Sequence, residues 1–309
     1  MYFPYFRGRQ YELLALRDLV DRELVSRKIV PIIEPVKYSP TLKKTLDLFS
    51  AQNHPLGLIF NPEVGEFSKK EKFLDKFHQE DQVVTDNLFP TFISNKNAVE
   101  SFRLFSEKES DKNIDTINIV SNQSIEDYTN ILEISDPKFS LLPDERDFRR
   151  LNQSGKILFR DNFNKKLRNA DYPADEEFTK DNLYYSEEGC LGFGDYSIIG
   201  SGYTENGFAP YAVAIHIVYI KQDNSLWIKH FISDSNTDIS DVAGKFSEAV
   251  EKLADWYRDG NHRQQTYALD TLMQYHESGS YPGLPTIKKL SVMHHLELVN
   301  KYLTRSLPG

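Results

Sequence analysis

Ile29-Val30-Pro31-Ile32-Ile33-Glu34-Pro35-Val36 is the stretch whose reading decides the fold. It is short, rich in β-branched residues and bounded by proline, so it reads as a buried strand. On its N-terminal side, within residues 9–27, Leu13, Leu16, Val20 and Leu24 recur at three- and four-residue steps, the spacing of one helix face. On its C-terminal side the same unit repeats. Helical patterns over 41–53, 68–80, 97–109 and 123–135 alternate with apolar runs at 56–61, 88–93, 116–120 and 139–142, and a further run follows at 156–159. Strands apolar on both faces need helices covering both sides of the sheet, which is the pattern of parallel pairing.

Right-handed crossovers in one direction either close or stay open. Neither GxGxxG nor GxxxxGK[ST] follows the first strand, which favours a barrel over a nucleotide-binding open sheet. The expectation is therefore an α/β chain: a TIM-like β/α barrel with a β-hairpin and C-terminal helices added. A Gly-rich run at 191–200 reads as the seventh strand and 211–220 as the eighth. The turn Gln222-Asp223-Asn224 then returns the chain through 225–232 as a hairpin. Helices follow at about 240–258, 263–277 and 286–304, the last with Val292, Leu296, Val299 and Leu303 on one face. The expected division is 1–235 for the barrel with its N-terminal helix, and 236–309 for a helical extension packed on it.

Composition sets outer limits. With 309 residues, 39% of them hydrophobic, a large core is affordable. A formal net charge of −9 disfavours direct nucleic-acid binding, because phosphates are repelled. Cys190 is the single cysteine, so no internal disulfide or Cys/His zinc framework exists, and a half-buried thiol is expected. The opening MYFPYFRGRQYELL has no apolar core or cleavage site of a secretory signal, and no run is long enough to span a membrane. A cytoplasmic location is the expectation.

In a barrel, chemistry sits at the C-terminal ends of the strands. Polar residues there are Glu34 and Lys37, Asn61 and Glu63, Ser94 and Asn95, Ser121 and Asn122, Asp144 to Arg146, Arg160 and Asp161, Arg168, Asp195 and Tyr196, and His216. Glu34 interrupts an apolar run, where an unpaired carboxylate is costly. It either fixes the barrel as a buried ion pair or belongs to a site. The expected catalytic set is Glu34, Arg160, Asp161 and Asp195, with Lys37, Asn61, Arg168, Tyr196 and His216 as ligand-binding residues. Arg160 and Lys37 would clamp an anion, and Asp161 or Glu34 would serve as acid or base in hydrolysis. Glu34, Asp161 and Asp195 offer oxygens of the kind Mg²⁺ takes, but their spacing is not diagnostic, so no metal is assigned and no cofactor is named. The glycines beside Asp195 admit a ligand or form a bulge, the bulge being preferred. His216 weighs toward a satisfied core group. His230 is placed to pair with Asp234, and His294-His295 reads as surface or packing, with no HExxH spacing. No GxSxG elbow occurs.

Several segments together resemble the phage "beta protein" family, in a bacterial branch. They are Met1 to Gln10, Ile32-Ile33-Glu34-Pro35, Phe159 to Phe163, Arg168 to Pro173, Gly192 to Tyr196, Ala212 to His216 and His230 to Asp234. The resemblance spans nearly the whole chain and implies a barrel. It also implies a restriction-like nuclease as partner, in anti-phage defence or on a mobile element, but no reaction. Two readings stay open. One is a hydrolytic or ligand-binding barrel taking a polar anionic ligand. The other is a non-catalytic recognition subunit docking through its C-terminal helices or hairpin, with Trp227, Trp256 or Tyr257 exposed as anchors.

Overall fold

The computed structural model describes residues 1–309 apart from 69–72, 81, 110–113, 122–123, 152–153, 205–209, 261–263 and 306–309. The chain forms two compact units. Unit 1 is Met1–Asp161 with Tyr184–Tyr196, and unit 2 is Asn162–Leu183 with Ser197–Gly309. The division expected at 235/236 is corrected accordingly. The hairpin and the C-terminal helices share one core in unit 2, so the chain does not part between them.

Unit 1 is a closed barrel of eight strands. They are β1 (Tyr2–Phe6), β2 (Ile32–Ile33), β3 (Leu56–Ile59), β4 (Leu88–Ile93), β5 (Ile117–Ile119), β6 (Phe139–Leu142), β7 (Lys156–Arg160) and β9 (Gly192–Asp195). Every neighbouring pair is parallel. The deciding stretch supplies β2, as expected. The closing strand is a correction: β1 joins β2 to β9, and 211–220 takes no part in the barrel. Pro4 lies in the middle of β1 and lacks a backbone N–H, which argues against a central strand when only sequence is read.

The barrel interior interleaves aromatic rings with branched aliphatic side chains. Phe3, Tyr5, Phe139, Phe159 and Tyr196 pack with Ile32, Ile59, Ile93, Ile117 and Leu141. Glycine makes room for them. A Cβ on Gly194 would lie 3.1 Å from Phe3 Cβ and 3.2 Å from the Phe159 ring, and one on Gly192 would lie 2.3 Å from the Met1 carbonyl oxygen. The β1–β9 register runs from Tyr2↔Phe193 to Pro4↔Asp195 without a shift. The glycines beside Asp195 thus serve close strand packing, and the preferred bulge is absent.

Helices α1 (Gln10–Asp21), α2 (Pro40–Ala51), α3 (Phe73–Gln79), α4 (Ala98–Lys108) and α5 (Ile125–Leu132) alternate with the strands. Ser39 caps α2 by accepting from the Leu42 amide at 3.2 Å, with Pro40 opening the helix, and Ser124 caps α5 in the same way. Among the described residues, α6 (Arg146–Arg149) is the one helix between β6 and β7. Beside it is a cavity of about 180 Å³ lined by Leu142, Phe148, Leu158 and Cys190 among others, and Cys190 is half-buried there.

Unit 2 is built on a three-stranded antiparallel sheet ordered β10 (Ala214–Ile220), β11 (Leu226–Ile232), β8 (Asp175–Thr179). The hairpin forms where expected, with Asn224 at φ +65° completing the turn. Helix α7 (Asp181–Tyr184) lies where the chain passes from unit 2 back to unit 1. Helices α8 (Val242–Arg258), α9 (Tyr267–Ser278) and α10 (Leu284–Thr304) follow, with α8 and α10 packed on the sheet. The first expected residue of the second of these, 263, lies outside the described residues. Helix α10 is buried all round from Leu290 to Val299 rather than along one apolar face. Three of its buried polar residues, His294, His295 and Glu297, are paired. His294 contacts Thr266 Oγ1 at 2.8 Å and the Val218 carbonyl at 2.7 Å, and His295 contacts Ser197 Oγ at 2.9 Å. Glu297 accepts from the Tyr267 amide at 3.0 Å. The histidine pair is packing, not surface. Trp227, Trp256 and Tyr257 are half-buried rather than exposed, with Trp256 against Tyr219 and Phe231. Among the described residues, no helix is long and apolar enough to cross a membrane.

Candidate functional site

The C-terminal rim of the barrel holds one buried charged cluster. Side chains alternate along a strand, so Phe3 and Tyr5 face the interior and Arg7 continues that face. Glu34 follows Ile32 in the same way on β2, and Tyr196 follows Gly194 after β9. Arg7 and Glu34 form an ion pair, with the carboxylate fully buried and the guanidinium side chain 13% exposed. Tyr5 donates to Glu34 Oε2 at 2.7 Å, and the Glu63 amide donates to Oε1 at 2.6 Å. The Arg7 guanidinium also lies 5.0 Å from the Tyr5 ring centre and 5.8 Å from that of Tyr196. Glu63 in turn accepts from Asn95 Nδ2 at 2.8 Å.

Burial keeps both phenols protonated. Tyr5 is raised well above the usual tyrosine value, chiefly by desolvation against the opposing charge of Arg7. Tyr196 is pushed up to about 12, again mainly by desolvation, with Arg7 opposing and Asp161 and Glu63 adding. They act as neutral hydrogen-bond donors. Glu34 already accepts from a guanidinium, a phenol and an amide, so few of its lone pairs remain to take a proton from a substrate. The rim as built is suited to binding more than to proton transfer.

The expected set divides. Glu34, Asp161 and Tyr196 belong to the rim. Asp195 does not: it is fully buried on the opposite, outward face of β9 with Phe193, where Tyr2 donates to its Oδ1 at 2.7 Å. A residue adjacent to an inward-facing one must point outward, which the Gly-Phe-Gly-Asp-Tyr run did not reveal by itself. Arg160 likewise neighbours the inward Phe159 and Asp161, and meets Asp144 at 3.4 Å, an acid that Arg149 also engages. Lys37 is exposed. The expected clamp of Arg160 with Lys37 therefore does not form around Glu34, and Arg7 takes that place. Asn61 is a brace: its side chain donates to the Ile93 carbonyl at 2.8 Å and accepts from the Ile93 amide at 2.9 Å. With Asp195 turned away, Glu34, Asp161 and Asp195 do not converge. Among the described residues no group of three His, Cys, Asp or Glu could hold a metal ion. Asn122 lies outside the described residues.

Arg168 and His216 belong to unit 2, not to the barrel. Arg168 is exposed beside a fully exposed Leu167, which fits a solvated face. His216 stands directly across from His230 in the hairpin register, and their Nδ1 atoms are 2.7 Å apart. His230 Nε2 faces Glu176 Oε1 at 3.4 Å, while Asp234 pairs with Lys252, so the expected His230–Asp234 pair is corrected. Arg7, Tyr5 and His230's partner Glu176 were missed. Recognising Tyr2-Phe3-Pro4-Tyr5-Phe6 as a strand would have put Arg7 at its C-terminal end, at the rim.

No protein-family model matches the chain, and no curated protein matches it. Among solved structures it is similar to N-acetylneuraminate lyase from Mycoplasma synoviae, with 14% identity over 96% of this chain and 97% of that one, at a TM-score of 0.42. The barrel assignment rests on the strand order and register themselves.

Proposed function

We propose that the barrel is a binding module whose C-terminal rim takes a small polar molecule, neutral or positively charged. The observation that supports this is the Arg7–Glu34 pair, closed by Tyr5 and edged by Tyr196 at the face where such barrels bind ligands. Glu34, Glu63 and Asp161 bring three carboxylates to the surroundings of Arg7, a field that disfavours an anion. This replaces the anionic ligand of the sequence reading. The setting carried by the beta-protein resemblance, anti-phage defence beside a restriction-like nuclease, is part of the same proposal.

The test is retention of small molecules. The protein is incubated with a deproteinised cell extract, desalted, and the compounds it keeps are identified by mass spectrometry. A neutral or cationic polar compound kept by the wild type and lost from Tyr196→Phe and Glu63→Gln supports the reading. Retention of nothing, or of an anion unaffected by either change, sinks it. Co-expression with a neighbouring nuclease gene, followed by size-exclusion chromatography, tests the setting separately.

A further inference from the structure

Helices α1 to α5 run seven to twelve residues each, whereas α6, the described helix between β6 and β7, has four. A single turn leaves part of the barrel's outer wall there uncovered. Leu142 and Leu158 are register partners beside the inward-facing Leu141, Ile157 and Phe159, so they face outward next to each other. With Phe148 of α6 they line the cavity of about 180 Å³. Phe148 is fixed in turn by Tyr128 of α5, with ring centres 6.1 Å apart. A cavity of about 150 Å³ lined by such side chains holds a benzene molecule, so this one has room for an apolar body of that size or a little more. Leu142, Phe148 and Leu158 are buried, Arg149 and Glu188 are exposed, and Lys156 and Cys190 are half-buried. The cavity therefore opens to solvent past these last four, which also line it.

The mouth is cationic. Lys156 opens β7 on the same outward face as Leu158. Its ammonium donates to the Arg149 carbonyl at 3.4 Å and to the Leu151 carbonyl at 3.3 Å. Among the described residues no carboxylate lies within ion-pair distance of it. Two long contacts leave at least one of its three N–H donors for a ligand or water. Arg149 also lines an adjoining surface recess with Asp144, Arg146 and Arg150. The charged groups lining the cavity and the recess are four cations, Arg146, Arg149, Arg150 and Lys156, against two carboxylates, Asp144 and Glu188. Asp144 is engaged by Arg149 and lies 3.4 Å from Arg160. A chain with a formal net charge of −9 thus gathers a cation excess around an apolar cavity.

We propose that this cavity binds a small amphipathic monocarboxylate, of the size of hexanoate or phenylacetate. The hydrocarbon body lies against Leu142, Phe148 and Leu158, where it leaves water and gives the cavity lining the contacts it lacks. The carboxylate meets the Lys156 ammonium at the mouth as a charge-assisted hydrogen bond, and the arginines of α6 add attraction from further away. The cavity sets the size of the body, and the charge around its mouth sets the sign of the head. An amine of the same size would face the cation excess, and an alcohol would gain nothing from it. This site lies on the outer wall of the barrel and is independent of the rim reading, in which an anion is disfavoured.

Cys190 lines the cavity and is the single cysteine of the chain, so its alkylation reports occupancy. The full-length protein is treated with iodoacetamide and followed by intact-mass spectrometry. Hexanoate and phenylacetate should slow the alkylation, half-maximally at or below about 1 mM, an affinity within reach of so few atoms. Acetate, which lacks the body, and hexylamine, which reverses the charge, should leave the rate unchanged at the same concentration. Lys156→Met keeps the length of the side chain and removes its charge. The hexanoate needed for half-protection should then rise about 10–100-fold, the range for a lost hydrogen bond to a charged group. No protection by either carboxylate, protection by hexan-1-ol or hexylamine equal to that by hexanoate, or an unaltered hexanoate response in folded Lys156→Met would each overturn the proposal. Protection that grows with protein concentration in the absence of ligand would mean that a second copy covers the cavity, and overturns it as well. The wild-type comparison of hexanoate with hexan-1-ol decides even if the variant does not fold.

Discussion

Glu34 in the barrel and Glu176 in the three-stranded sheet are carboxylates treated in opposite ways. Glu34 is fully buried and accepts from a guanidinium, a phenol and a backbone amide. Glu176 accepts from one asparagine, and its other oxygen faces an imidazole at 3.4 Å without a hydrogen bond. The first arrangement spends its acceptors on holding three elements together, so it shapes a rim. The second leaves electrostatic bias unspent, and that bias selects a tautomer. Donor saturation therefore separates a carboxylate that builds from one that tunes a neighbour.

The contrast can be broken most forcefully at the barrel. Arg7→Ala leaves Glu34 buried without its cation, and a loss of about 3–5 kcal/mol is expected, read from urea unfolding by far-UV circular dichroism. Closure of the barrel can be challenged next. Gly192→Ala puts a methyl against the Met1 carbonyl, and about 1–3 kcal/mol of destabilisation should appear in the same assay. No comparable loss would mean that the β1–β9 seam has slack.

Acid sharpens the comparison from the other side. Burial lowers His216 and His295 to about 3 and His294 to about 4, all in unit 2. Their folded values lie below the unfolded value near 6.5, so the stability they confer is complete above it and is lost as pH falls toward 4 and 3. By pH 5 the expected loss is about 1–2 kcal/mol for each. Both tryptophans, Trp227 and Trp256, lie in unit 2, so their fluorescence follows its urea midpoint selectively. A midpoint unchanged between pH 7 and 5 contradicts neutral burial of these rings. The smallest effect belongs to Arg160→Ala. Its side chain is 42% exposed against an Asp144 that Arg149 also engages, so about 0–1 kcal/mol is expected by the same unfolding measurement.

How much was legible follows from which signals are local. The alternation of apolar runs and helical faces is local, and seven of the eight barrel strands lie in the runs it marks, β2 through β7 and β9. β1 escaped because proline in a central strand contradicts the local rule, and Arg7 escaped with it. The rim location was legible for Glu34, Asp161 and Tyr196, since strand ends follow from strands. The inward or outward sense of Asp195 and Arg160 was not, because a one-residue step reverses it. The His216–His230 contact was half legible: the hairpin put the two strands side by side, while the carboxylate that orients them comes from β8, about fifty residues earlier in the chain than β11.

By itself, the order of residues determined the β/α units, the hairpin and the C-terminal helices, because burial imprints a period on neighbouring positions. Which strand closes the barrel, which acids share a face, and which carboxylate meets the hairpin histidines were decided only in three dimensions. Each depends on groups far apart in the chain meeting within hydrogen-bond range, and a contact of that kind leaves no period for a sequence to carry.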